Sequence, residues 1–185
     1  NEILNGDIHT ANQLAAGLET RDQAKTFIYA FLYGAGDSKI GSIVGGTKRD
    51  GKRLKEKFLA NTPALGQLRE RVGVAAGRGF VYGLDRRRVS IRSEHAALNS
   101  LLQSAGAIVM KKALCLLEEY ATIWGIDYNF IGNIHDEIQT EVREEKAEVF
   151  GRLATSCIQA AGNFYNLNCP LAGEYKVGDS WADTH

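Results

Sequence analysis

The chain has 185 residues, 44% of them hydrophobic and 24% charged, with 22 Lys and Arg against 22 Asp and Glu. That is an ordinary soluble globular mixture, long enough to bury a core in one large domain or two small ones. The three cysteines (Cys115, Cys157, Cys169) lack metal-type spacing, which argues against a zinc site or a disulfide framework and for a reducing compartment. No basic segment with an apolar run follows Asn1, so no signal peptide is expected and the start reads as a cut through a longer chain. The most apolar stretch, Ala96 to Leu117, contains Asn99, Gln103, Lys111 and Lys112, and is expected to be a buried helix, not a membrane span.

The neutral total hides an uneven distribution. Residues 21–92 carry 16 Lys and Arg against 6 Asp and Glu, a net of +10, which leaves −10 for the remainder. A basic block of this kind suits a polyanion partner, although a solvated basic face has the same composition.

In chain order, Thr20 and Gln23 form a capping box that opens a helix over Arg21 to Tyr33. Its apolar stripe is Ala24, Phe27, Ile28 and Phe31, and Gly34 and Gly36 end it. A short helix near Lys39 and another over Lys48–Leu59 are predicted next, and Asn61-Thr62-Pro63 opens a further one. Phe80–Tyr82 and Arg88–Ile91 flank Gly83-Leu84-Asp85 as a small hairpin. A long helix follows from Glu94 to Thr122. Strands at Tyr128–Ile134 and Ile138–Val142 surround His135-Asp136-Glu137, then come a helix over Glu144–Ala161 and a last strand near Leu171–Val177.

Two constellations carry chemistry. Arg21, Lys25, Tyr29 and Tyr33 are spaced by four, which places them along one helix face, apart from the apolar stripe. Arg forks onto phosphate oxygens, Lys meets them as a point charge, and an aromatic ring further along can pack on a sugar or base. The gradient matches a nucleoside triphosphate laid along the helix; a solvated face with two amphipathic tyrosines is the alternative. Second, Asp136 and Glu137 lie at a strand junction, a natural place for a hard divalent cation such as Mg2+ or for a merely polar turn.

Arg21-x3-Lys25-x3-Tyr29-x3-Tyr33-Gly34 resembles the fingers motif of polymerase I-type (family A) DNA polymerases, and the surrounding sequence is similar to the replicative polymerases of short-tailed bacteriophages. His135-Asp136-Glu137 resembles the family's third motif. The resemblance implies that Arg21 and Lys25 hold the triphosphate of an incoming dNTP, with His9 in Asp7-Ile8-His9-Thr10 as a further phosphate contact. It implies that Tyr33 packs beside the templating base pair, and that Tyr29 confers tolerance of dideoxynucleotides in the assembled enzyme. Asp136 would be a metal ligand, Glu137 an auxiliary carboxylate, and His135 a support near the primer end. Asn99 and Gln103, one turn apart on the long helix, resemble the pair that probes the minor groove, where acceptors look alike for every correct base pair. Arg87, Arg88 and Arg92 are candidate phosphate contacts. Gly178, Trp181 and His185 resemble a C-terminus lying near the active site.

The expected architecture is α/β (α+β): a mostly helical fingers subdomain over residues 1–93, then a palm part over 94–185 with a small antiparallel sheet and the catalytic hairpin at 128–142. The implied activity is template-directed DNA synthesis with two Mg2+ ions. Primer–template DNA, dNTPs and a missing N-terminal palm and thumb part are the implied partners, without a membrane. The implied location is the cytoplasm, a host's if phage-encoded. The second carboxylate of the two-metal site would precede Asn1, so the isolated chain is expected to be inactive. The rivals are a fragment of a single-subunit RNA polymerase and a non-catalytic nucleic-acid-binding module.

Overall fold

The computed structural model of the chain describes residues 5–184. It contains two compact units. The first comprises the chain up to Tyr82 together with Arg88–Leu102; the second comprises Gly83–Arg87 and everything from Gln103 onward.

The first unit opens with helix α1 (Ile8–Ala16), capped by the Asp7 side chain, which accepts from the His9 N–H, and closed by Gly17 in the left-handed region. The sequence pattern did not flag this helix. Its apolar residues are mostly alanines, and only Ala16 is buried in it. Helix α2 (Arg21–Leu32) carries the expected Thr20/Gln23 capping box, and Ala24, Phe27 and Phe31 are its buried residues. Helices α3 (Asp37–Ile43), α4 (Lys48–Asn61) and α5 (Pro63–Ala76) follow, the last with Pro in its first turn.

The core of these helices is aromatic. Phe27 and Phe31 meet Phe58 of α4 edge-on, with ring centroids 5.1 and 5.4 Å apart, joined by Ala16, Leu18, Ile40 and Leu54. Edge-to-face contacts add to area burial because the positive ring edge meets the negative face. Helices α3 and α4 cross on glycine. A Cβ on Gly51 would lie 1.9 Å from the Asp37 carbonyl oxygen, and one on Gly41 would lie 2.0 Å from that of Thr47. Lys55 of α4 is mostly buried and ties down the start of α3, 3.0 Å from Asp37 Oδ1 and donating to the Ala35 carbonyl at 2.6 Å.

Strands β1 (Phe80–Tyr82) and β2 (Arg88–Ser90) form the first two-stranded antiparallel sheet, and Val81 packs with Val72 and Ala97. After a 3-10 turn at Glu94–Ala96, helix α6 (Ala97–Ile123) runs from the first unit into the second.

In the second unit, α6 packs on α7 (Glu144–Phe164) through Leu117 and Ala121 against Phe150, Leu153 and Cys157, and through Val109 and Ala113 against Ala161. Glu94–Ile123 is long and apolar enough to cross a membrane by length and composition, and 22% of its most apolar window is buried. The expected buried helix is therefore buried on one side only. The described residues supply it with α7 but leave Leu102 and Ile123 exposed.

Strands β3 (Tyr128–Ile134) and β4 (Glu137–Val142) form the second antiparallel pair. The expected last strand at Leu171–Val177 does not form. That segment has no regular secondary structure and lays side chains on α7, with no sheet partner among the described residues. A Cβ on Gly162 would lie 2.9 Å from Leu171, and one on Gly151 would lie 2.2 Å from the Tyr175 ring. A short helix α8 (Trp181–Thr184), also not anticipated, ends the described chain.

Gly51→Ala is expected to destabilise the fold by roughly 1–3 kcal/mol, the usual cost of overpacking. A lower urea midpoint at unchanged m-value would show it. A second expectation concerns acid. The hydrogen bond from Lys55 holds the Asp37 carboxyl below its ordinary 3.8. A carboxyl depressed in the folded state stabilises the fold above its unfolded pKa and loses that contribution as pH falls through the folded value. Stability should therefore fall below pH 3.8, and Lys55→Met should flatten that fall in pH-dependent denaturation curves.

Candidate functional site

The first unit presents the expected stripe. Arg21, Lys25, Tyr29 and Tyr33 are all exposed, while Ala24, Phe27 and Phe31 of the same helix are buried. The split follows from the helical period. The aromatic residues lock one face of α2 onto α4, and steps of four carry the polar face along the other side. Tyr33 lies just past the helix, as its C-cap residue. Gly34 follows at φ +77°, where a Cβ would meet the His95 carbonyl oxygen at 2.4 Å. Only glycine fits both the left-handed backbone and that approach.

His9, on α1, comes to the same side as the stripe. Its ring centroid is 6.4 Å from that of Tyr29. His9 Nδ1 is shielded from solvent and has no hydrogen-bond partner among the described residues.

One residue that sequence reasoning left without a role joins this group. Asp7 forks onto Arg21, with Oδ2 2.5 Å from Nε and Oδ1 accepting from Nη2 at 3.3 Å. The Arg21 hydrogen bond is the main reason the Asp7 carboxyl is held well below the usual carboxylate range, and Asp7 in turn raises Arg21. A cleft of about 550 Å3 on this unit, bordered by Gly17, Gln23, Gly46, Arg53 and Lys57, includes none of the four stripe residues.

The second unit holds the hairpin. Ile134 pairs with Glu137, so the loop between β3 and β4 is His135 and Asp136 alone. Glu137, expected in the turn, is the first residue of β4. The reason is register: a two-residue loop is the shortest that reverses an antiparallel pair. His135 takes a left-handed conformation, φ 56°, uncommon outside glycine and associated with functional or strained turns. Ile131 is an extra residue in β3, because Phe130 pairs with Thr140 and Gly132 with Gln139. Such a bulge re-aims the end of a hairpin.

The two carboxylates differ. Asp136 is exposed and is neither hydrogen-bonded nor ion-paired among the described residues. Glu137 accepts from Gln139 Nε2 and, at 3.0 Å, from Trp181 Nε1 of α8. Trp181 therefore lies beside the hairpin, whereas His185 falls outside the described residues. No group of three or more His, Cys, Asp or Glu side chains poised for a metal occurs among the described residues. The exposed Asp136 carboxylate is chemically able to serve as one ligand to a divalent ion, but no complete ligand set is grouped around it among the described residues.

The remaining candidates are dispersed. Arg87 is committed to Asp85, Nη2 to Oδ2 at 2.5 Å. The Arg88 guanidinium stacks 4.8 Å from the Phe80 ring centroid, and Arg92 is exposed. Asn99 is half-buried and Gln103 exposed on α6. By unit, His9, Arg21, Lys25, Tyr29, Tyr33, Arg88, Arg92 and Asn99 belong to the first; Arg87, Gln103, His135, Asp136 and Glu137 belong to the second.

Comparison with known proteins gives this arrangement a family. The sequence matches the profile of DNA polymerase family A over residues 5–183. It is 48% identical to the DNA-directed DNA polymerase of Escherichia phage T7, covering 100% of this chain and 29% of that protein. It is 41% identical to the DNA-directed DNA polymerase of Escherichia phage Phieco32, over 99% of this chain and 31% of that protein. Among solved structures, the POL domain of Pol1 from M. smegmatis, in complex with DNA primer-template and dNTP, superposes with a TM-score of 0.75. That likeness is at 20% identity and covers 84% of this chain and 31% of that one. The chain belongs to DNA polymerase family A. It spans less than a third of the length of these phage relatives.

Proposed function

We propose that this chain is the fingers and catalytic-hairpin portion of a template-directed DNA polymerase. In the parent reaction the primer 3′-hydroxyl oxygen attacks the α-phosphorus of a dNTP. The new P–O bond forms as the bond to pyrophosphate breaks. The observation that carries the reading is the exposed Arg21, Lys25, Tyr29 and Tyr33 stripe, backed by a buried aromatic face on the same helix.

In this reading residues 1–93 are fingers and 94–185 a palm part. Arg21 and Lys25, with His9 beside them, stabilise the charge of the triphosphate, the largest kind of catalytic contribution available to phosphoryl transfer. Tyr29 and Tyr33 present rings to the sugar and base. Asn99 and Gln103 probe the minor groove, and Arg87, Arg88, Arg92 and His135 face the nucleic-acid backbone. The dNTP and primer-template bound in the M. smegmatis neighbour support these partners.

Asp136 serves as a ligand to Mg2+, and Glu137, oriented by Trp181 and Gln139, stands next to it as an auxiliary carboxylate. When bound, the ions supply Lewis-acid charge neutralisation at the reacting phosphate. One carboxylate cannot hold two such ions against their hydration. The chain alone is therefore inactive, and the second carboxylate comes from the part of the polymerase that it does not span. The similarity to phage polymerases supports action in a host-cell cytoplasm.

The test is primer extension with Mg2+ and dNTPs, using the chain alone and the chain mixed with a polypeptide that supplies the rest of a family member. Extension is expected only in the mixture, and Asp136→Ala should reduce it at least ~100-fold, as for loss of a group acting on the transition state. Extension by the chain alone, or undiminished extension by Asp136→Ala, would contradict the proposal.

A further inference from the structure

Asp7 is the least expected member of the stripe's surroundings, and its contacts are specific. Its Oδ2 takes Arg21 Nε at 2.5 Å and its Oδ1 takes Arg21 Nη2 at 3.3 Å, so the carboxylate lies on one side edge of the guanidinium. A guanidinium has five N–H donors in a planar fork. Engagement of Nε and one Nη2 proton leaves the end edge, one Nη1 proton and the second Nη2 proton, able to receive an anion. Arg21 is about half exposed, with 51% of its side chain accessible, so without Asp7 it would sample many rotamers.

The same carboxylate does a second job. Oδ1 accepts from the His9 backbone N–H and Oδ2 from Thr10 Oγ1, both at 3.0 Å, which caps α1. One acidic residue therefore ties the start of the helix that bears His9 to the start of the helix that bears Arg21 and Lys25.

We propose that Asp7 is a positioning residue for triphosphate recognition: it holds the side edge of Arg21 so that the end edge meets the phosphates, and by capping α1 it fixes His9 on the same side. The inference rests on the dNTP-binding reading above. Ordering Arg21 in advance removes an entropy cost from binding, which is how preorganisation raises affinity. A plain competitor would act in the opposite direction, because removing an acid beside a triphosphate should tighten binding.

The experiment is an equilibrium titration of the full chain with dATP and Mg2+, using wild type, Asp7→Asn, Asp7→Glu, Arg21→Ala and the double variant Asp7→Asn/Arg21→Ala. Asparagine caps helices as well as aspartate, so Asp7→Asn keeps α1 and removes the charge that holds Arg21. Thermal unfolding run alongside should change little. Asp7→Asn is expected to raise the Kd about three- to tenfold, with partial recovery in Asp7→Glu. The Asp7→Asn effect should vanish when Arg21 is already alanine, because a residue acting through another shows coupling in a double-mutant cycle. A general loss of fold would not give that coupling. If Arg21→Ala weakens binding while Asp7→Asn leaves it unchanged or tightens it, the positioning role is wrong and the dNTP site stands. If Arg21→Ala itself has no effect, both fall together.

Discussion

The edge-on contact of Phe27 and Phe31 with Phe58 is the constraint on which the first unit depends. It fixes how α2 is rotated about its own axis. Once that face is committed to the core, the helical period leaves no freedom in where Arg21, Lys25, Tyr29 and Tyr33 emerge. The glycine crossing of α3 and α4 and the Lys55 tie to Asp37 hold α4 in place behind it. Gly51 and Phe58, remote from the chemistry, thus belong to the packing that sets where the stripe emerges.

In the second unit, backbone geometry does the corresponding work. A two-residue loop with His135 in the left-handed region leaves Asp136 exposed at the tip, and the bulge at Ile131 sets the direction of that tip. Glu137, one residue later, is tied to Gln139 and Trp181. Adjacent carboxylates thus have different environments: Asp136 is open to an ion, while Glu137 is already engaged by donors.

Local rules made much of this legible in the sequence. The Thr20/Gln23 box, the i, i+3, i+4 pattern of Ala24, Phe27 and Phe31, and Pro63 in the first turn of α5 each act within a few residues, and each element formed where its signal lay. What was not legible depends on partners distant in sequence. The Leu171–Val177 segment has strand-like composition, but strand formation needs an edge to pair with, and these side chains found Gly151 and Gly162 of α7 instead. Helix α1 has too weak an apolar pattern to stand out. The Asp7–Arg21 fork spans 14 residues and the Trp181–Glu137 bond spans 44, beyond the reach of any periodicity. The Asp7 cap two residues ahead of His9 was the one local signal that could have marked that residue.

The stripe on α2 is proposed to be a nucleotide-binding surface. Photolabelling the folded chain with 8-azido-dATP, followed by peptide mapping, tests it most directly. Label should concentrate in the peptide that carries Tyr29 and Tyr33 and be displaced by excess dATP. Label confined to the cleft bordered by Gly46, Arg53 and Lys57, or label that dATP does not displace, would contradict it.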